Sequence, residues 1–140
     1  MIAVDTNVVV RLIVADDAVQ GQRAARLFAQ ASEIFVAGTV LLETAWVLQS
    51  AYGFPRDQVA EALRRFAGLP NVLVEDAEQM AAALELAQSG MDVADALHLA
   101  ACPEAAPFYT FDRRLVRHAQ AAGLNVIEPE ASDEPAPKAL

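Results

Sequence analysis

Four carboxylates stand at changes of pattern along the chain, and their type and setting could support chemistry: Asp5, Glu43, Asp95 and Asp112. Asp5 closes the apolar run Ile2-Ala3-Val4, and Asp112 lies two residues after Phe108-Tyr109-Thr110. Asp95 precedes the core-like Ala96, Leu97, Leu99 and Ala100, while helical spacing puts Glu43 on a face with Val40, Trp46 and Val47. Gathered into one pocket, such groups resist joint ionisation, and a hard cation relieves the conflict. Oxygen ligands without histidine or cysteine suit Mg²⁺ or Mn²⁺ rather than zinc. Ions of this kind polarise a phosphoryl oxygen and activate water, so the chemistry implied is phosphodiester hydrolysis.

Taken singly, each acid has a plainer explanation. Asp is a favoured N-cap, and capping is the stronger reading for Asp5 and for Asp112 when each is considered alone. Glu43 on an apolar face needs a partner, since an unpaired buried carboxylate is strongly disfavoured; an arginine or water would serve as well as a metal. Asp92 and Asp95 fit a capping-box-like pair, with Asp92 as the cap. His98 reads as a structural histidine and Trp46 as core. Arg113, Arg114, Arg117 and His118 form a basic run that could hold phosphates, although a solvated helix face explains it too. Thr6, Asn7 and Thr110 flank the acids and either orient water or complete turns.

The elements that must position these residues alternate. Strands are expected at 2–5, buried, and at 34–37, 72–74, 108–110 and 125–127. Helices are expected at about 7–14, 19–31, 39–52 with Thr39 as N-cap, 55–67 with Pro55 in the first turn, 77–88, 93–102 and 113–122. Strands separated by helices pair in parallel through crossovers, which gives an α/β class with a central parallel sheet flanked by helices on both faces. In such sheets ligands bind at the carboxyl ends of strands, where Asp5 and Asp112 stand; if their strands are neighbours, the two carboxylates converge.

Composition narrows the setting. A chain of 140 residues with 55% hydrophobic content has room for one compact domain, expected over 1–127, followed by a Pro- and acid-rich tail at 128–140 expected to be disordered. No apolar stretch approaches the roughly 20 residues of a membrane span, and no secretory signal is visible. With one cysteine, Cys102, and no zinc-ligand pattern, the expected compartment is the cytoplasm. A net charge of −9 argues on its face against a nucleic-acid partner. Bound cations can reverse the sign locally, and nine of the ten basic residues are arginines suited to bidentate phosphate contacts.

Ile2-Ala3-Val4-Asp5-Thr6-Asn7, Glu43 in an apolar helix, Asp92-Val93-Ala94-Asp95-Ala96-Leu97-His98-Leu99-Ala100 and Tyr109-Thr110-Phe111-Asp112-Arg113-Arg114-Leu115 together resemble the PIN-domain ribonucleases, especially the VapC-like toxins of bacterial toxin–antitoxin pairs. Four motifs in this order, across about 1–127, make the resemblance specific. It implies a single PIN-like domain and a metal-dependent endoribonuclease acting on single-stranded RNA. It also implies Asp5, Glu43, Asp95 and Asp112 as the acidic, Mg²⁺- or Mn²⁺-binding site, with Asp5 and Asp95 as direct ligands and Thr110 helping to position water. Cleavage leaving a 5′-phosphate, a homodimer and inhibition by a cognate antitoxin protein follow from the same resemblance. A dehalogenase-type phosphatase would need an aspartate where Asn7 stands, and it shares with a phospho-receiver domain the need for a lysine; the only lysine is Lys138 in the tail. The remaining alternative is a non-cleaving RNA- or protein-binding module of the same fold.

Overall fold

A computed structural model describes residues 1–138. In chain order the elements are β1 (Ile2–Ala3), α1 (Thr6–Val14), α2 (Ala18–Gln30), β2 (Ile34–Val36), α3 (Gly38–Ser50), α4 (Arg56–Ala67), β3 (Val72–Val74), α5 (Ala77–Gln88), α6 (Val93–Ala101), β4 (Phe108–Tyr109), α7 (Arg113–Ala121) and β5 (Val126–Ile127). All strand pairing is parallel, as long helical connections require, and the class is α/β. The chain divides into two compact units, one of Met1–Ala101 and one from Cys102 onward.

In the first unit the sheet order is β1-β2-β3, and Ile34 is in register with both Ile2 and Val72. The β-branched residues of the middle strand carry the burial: Ile34 and Val36 are both wholly enclosed. The segment expected at 2–5 as a buried strand is instead a two-residue exposed edge, because β1 has a paired neighbour on one side only. The helix expected from Thr39 begins at Gly38 with Ala37 as N-cap and no side-chain cap. Its first amide is met from outside, Gly38 N–H donating to Glu75 Oε2 at 2.8 Å, so Thr39 is not needed as a cap. The buried face of α3 is Leu41, Thr44, Ala45 and Leu48. Trp46 therefore lies on the outer side, 66% exposed rather than in the core.

The second unit is a small βαβ arrangement in which β4 pairs with β5 across α7, whose Leu115 and Ala119 are buried. Gln120 Nε2 donates to the Val126 carbonyl at 2.9 Å and ties helix to strand. Gly123, at φ +79°, makes the turn after α7 that a side chain would strain. Residues 128–138 contain no helix or strand, and the last two positions of the expected tail lie outside the described residues. Among the described residues no helix is long and apolar enough to cross a membrane.

Candidate functional site

Aspartates begin several of the helices, and most of them cap. Asp17 accepts from Gln20 N–H at 2.8 Å, and Asp76 accepts from Gln79 N–H at 2.9 Å. Asp112 Oδ1 accepts from Arg114 N–H at 2.9 Å and Leu115 N–H at 3.1 Å. Asp92 Oδ1 accepts from Ala94 N–H at 2.9 Å ahead of α6. Asp5 holds the N-cap position of α1, in extended conformation (φ −90°, ψ 164°), but its side chain makes no cap bond. Among the described residues its one side-chain hydrogen bond is from Asn7 Nδ2 to Oδ2 at 3.3 Å, and the residue is exposed.

Glu43 stands against the same helix start. Sequence spacing suggested a carboxylate on an apolar face, but the outer side of α3 is exposed and Glu43 with it. It nevertheless has a defined partner: the buried Thr6 hydroxyl donates to Glu43 Oε2 at 2.8 Å, across 37 residues of sequence. Asp5, Thr6, Asn7 and Glu43 thus line one cavity of about 250 Å³, together with Val10, Arg11, Val47 and Tyr52. Two carboxylates, a hydroxyl and an amide, with the Arg11 guanidinium and the Tyr52 phenol, line a space of a size for water or one small charged group.

Arg11 and Tyr52 are parts of this wall that spacing alone did not single out. Arg11 lies four residues after Asn7, on the same face of α1, and a lone cation inside Val8-Val9-Val10-Arg11-Leu12-Ile13 was the available signal. Arg11 Nη1 donates to Asp16 Oδ1 at 2.8 Å and to the Tyr52 hydroxyl at 3.0 Å, while Nε donates to Gln20 Oε1 at 2.7 Å. The Tyr52 hydroxyl in turn donates to Asp16 Oδ2 at 2.9 Å. The hydrogen bond from Tyr52, and then that from Arg11, hold the Asp16 carboxyl below its ordinary range; Asp16 chiefly raises the guanidinium of Arg11. Ala15, in the left-handed conformation at φ 54°, turns the chain so that Asp16 can return to Arg11.

The other expected site residues fall as follows. Asp95 is the third residue of α6, partly exposed, in the same unit as Asp5 and Glu43 but not a lining residue of their cavity. Asp112 belongs to the second unit, where it caps α7, and Thr110 Oγ1 accepts from its N–H at 3.1 Å. Asp92, besides capping, lies 3.9 Å from Arg56 Nε. In the basic run, Arg113 Nε donates to Glu128 at 3.2 Å. Among the described residues, no three His, Cys, Asp or Glu side chains are grouped closely enough to hold a metal ion. The pair that the structure brings together is Asp5 and Glu43.

A parallel α/β fold with an acidic pocket at the first strand end agrees with the family comparison: the PIN domain model matches residues 2–121. The chain belongs to the PIN-domain family, whose fold is of nuclease type and generally serves metal-dependent ribonucleases. A comparison with curated proteins returns no match.

Proposed function

We propose that this chain is a metal-dependent endoribonuclease that hydrolyses phosphodiester bonds in single-stranded RNA. The observation that carries the reading is Asp5, held at a helix start without capping it and sharing one cavity with Glu43. A carboxylate that forgoes a cap bond gives up about 1 kcal/mol of local stability and keeps its oxygens for a ligand.

The donors present are all oxygens, which fits a hard divalent ion such as Mg²⁺ or Mn²⁺; Mg²⁺ in particular takes one or two carboxylates and keeps several waters. Asp5 and Glu43 would hold it, and Asp95, in the same unit, is proposed to complete the acidic set. When bound, such an ion polarises a phosphoryl oxygen and neutralises its charge. The protein groups do the rest: Thr6 orients Glu43 through its hydroxyl, Asn7 restrains Asp5, and Arg11, paired with Asp16 and held by Tyr52, shapes the wall. We take the nuclease domain as residues 1–127 with 128–140 as a tail.

The finer reading is that the chain is the VapC-like toxin of a toxin–antitoxin pair. It would act as a homodimer and be silenced when a cognate antitoxin places a cationic side chain in the cavity, which at about 250 Å³ has room for a guanidinium. Purified full-length chain incubated with end-labelled single-stranded RNA tests the activity directly. Cleavage with Mn²⁺ or Mg²⁺ and none in EDTA is expected, and full cleavage in chelator overturns the reading. The alternative, a non-cleaving RNA- or protein-binding module of the same fold, has in its favour that no three ligating side chains are grouped among the described residues. Binding without cleavage at any metal concentration in the same assay would decide for it.

A further inference from the structure

A second cavity adjoins the acidic one. It lies between α1 and α2, encloses about 610 Å³, and takes Asn7 and Arg11 from the wall that also bounds the Asp5–Glu43 cavity. From α2 it takes Gln20, Arg23, Ala24 and Leu27, one helical stripe at three- and four-residue spacing. The two arginines differ in state. Arg11 is neutralised by Asp16 and immobilised by Tyr52 and Gln20, so it shapes the cleft and contributes little net field. Arg23 is exposed and has no side-chain hydrogen bond or ion pair among the described residues. Cations are scarce in this chain, and others are taken: Arg64 and Arg65 by Glu61, Arg113 by Glu128. An unpaired guanidinium beside an acidic pocket in a chain of net charge −9 is a local reversal of sign. Its planar fork matches a phosphate, and Leu27, 38% exposed on the same stripe, offers apolar surface for a ribose or base.

We propose that the α1–α2 cleft is a subsite for the nucleotide next to the scissile bond, with Arg23 contacting its backbone phosphate. This rests on the nuclease reading above, since it is the acidic pocket that would hold the scissile phosphodiester. The substrate strand then runs from that pocket past Asn7 and Arg11 toward Arg23.

The test is Arg23→Gln, a surface change that removes no partner. Equilibrium binding of fluorescein-labelled single-stranded RNA, followed by anisotropy in EDTA across a range of NaCl concentrations, should weaken about tenfold, as loss of one charge-assisted contact implies. The slope of log affinity against log salt should fall by about 0.7, the value for one phosphate contact on a single strand. With Mn²⁺, KM should rise about tenfold while kcat is retained. Arg65→Gln removes the same charge from α4 and should leave affinity and slope as in the wild type. Unchanged affinity and slope in Arg23→Gln, or an equal fall in Arg65→Gln, overturns the proposal. If the wild type cleaves RNA and Arg23→Gln behaves identically, the subsite alone fails and the cleft is left to a protein partner. If the wild type binds RNA through Arg23 but never cleaves, the nuclease reading fails and the phosphate contact stands.

Discussion

Asp5 and Asp112 occupy the same place in two helices: each follows a two-residue parallel strand and each is the N-cap of the helix after it. At α7 the carboxylate turns back and accepts two amides, as an isolated Asp at a helix start is expected to do. At α1 it does not, and Asn7 restrains it instead. The helix dipole favours a negative group at both starts, so electrostatics does not explain the difference. The neighbourhood does: the residue after Asp5 is the buried Thr6, whose hydroxyl is engaged with Glu43, and the α1 start faces a cavity with a second carboxylate. One aspartate is used to finish a helix and the other is left available, and sequence motifs do not distinguish the two uses.

The largest effect that could break this contrast is on activity. Asp5→Asn should lower RNA cleavage by on the order of 10²–10³-fold, the scale of losing a group that stabilises transition-state charge. Its unfolding temperature in EDTA should equal or exceed that of the wild type, since a like charge beside Glu43 is removed. Next in size is the metal response. A ligand binding only the folded chain at 100 times its Kd stabilises by about 2.7 kcal/mol, so Mn²⁺ should raise the wild-type unfolding temperature and leave Asp5→Asn nearly unmoved. Asp95→Asn carries the same test to α6: a blunted shift places Asp95 with the ion, and a full shift with normal cleavage removes it from the proposed set. Third is capping itself. Asp112→Ala should cost about 0.5–2 kcal/mol in a denaturant titration and Asp112→Asn much less, whereas Asp5→Ala should cost little because no cap bond is lost. An equal cost at the two positions would mean that Asp5 is a cap after all.

Most of the element order was readable because it rests on local signals. Gly53, Gly68, Gly90 and Gly123 with Pro55, Pro70 and Pro103 punctuate the chain, and apolar spacing supplies the helices between them. What was not readable depended on which face of an element turns inward. Val40, Trp46 and Val47 look like a buried stripe in sequence, but α3 turns Leu41, Thr44, Ala45 and Leu48 inward, so Trp46 and Glu43 face out. The two-residue strand β1 reads as core by composition and is an exposed edge by topology. The partnership of Thr6 with Glu43 and of Arg11 with Tyr52 joins residues 37 and 41 positions apart, and nothing local announces either. The acidic residues themselves are legible as types, and the family resemblance groups Asp5 with Glu43; the cavity they line, and the Thr6 and Arg11 contacts in its wall, come from the fold.

The smallest expected effect comes from the opposite extreme to Asp5, a carboxylate fully taken by its neighbours. Glu61 on α4 accepts from Arg64 Nε and Nη2, both at 2.9 Å, and from Arg65 Nε at 2.7 Å. Arg64, and after it Arg65, hold its carboxyl at about 2, against an ordinary value of 4.5. A folded-state value below the unfolded one means that the unfolded chain binds the extra proton first on acidification. The stabilisation is therefore complete above 4.5 and is lost as pH falls through about 2. Glu61→Gln should lower the unfolding temperature slightly near neutral pH, because the three side chains are solvent-exposed and screened, and added salt should shrink the gap further. Below the ordinary carboxylate value the two melting curves should draw together. A gap that stayed constant across the acid range would show that glutamine acts there through helix propensity rather than through lost charge, and Glu61 would then cease to mark the engaged end of the contrast with Asp5.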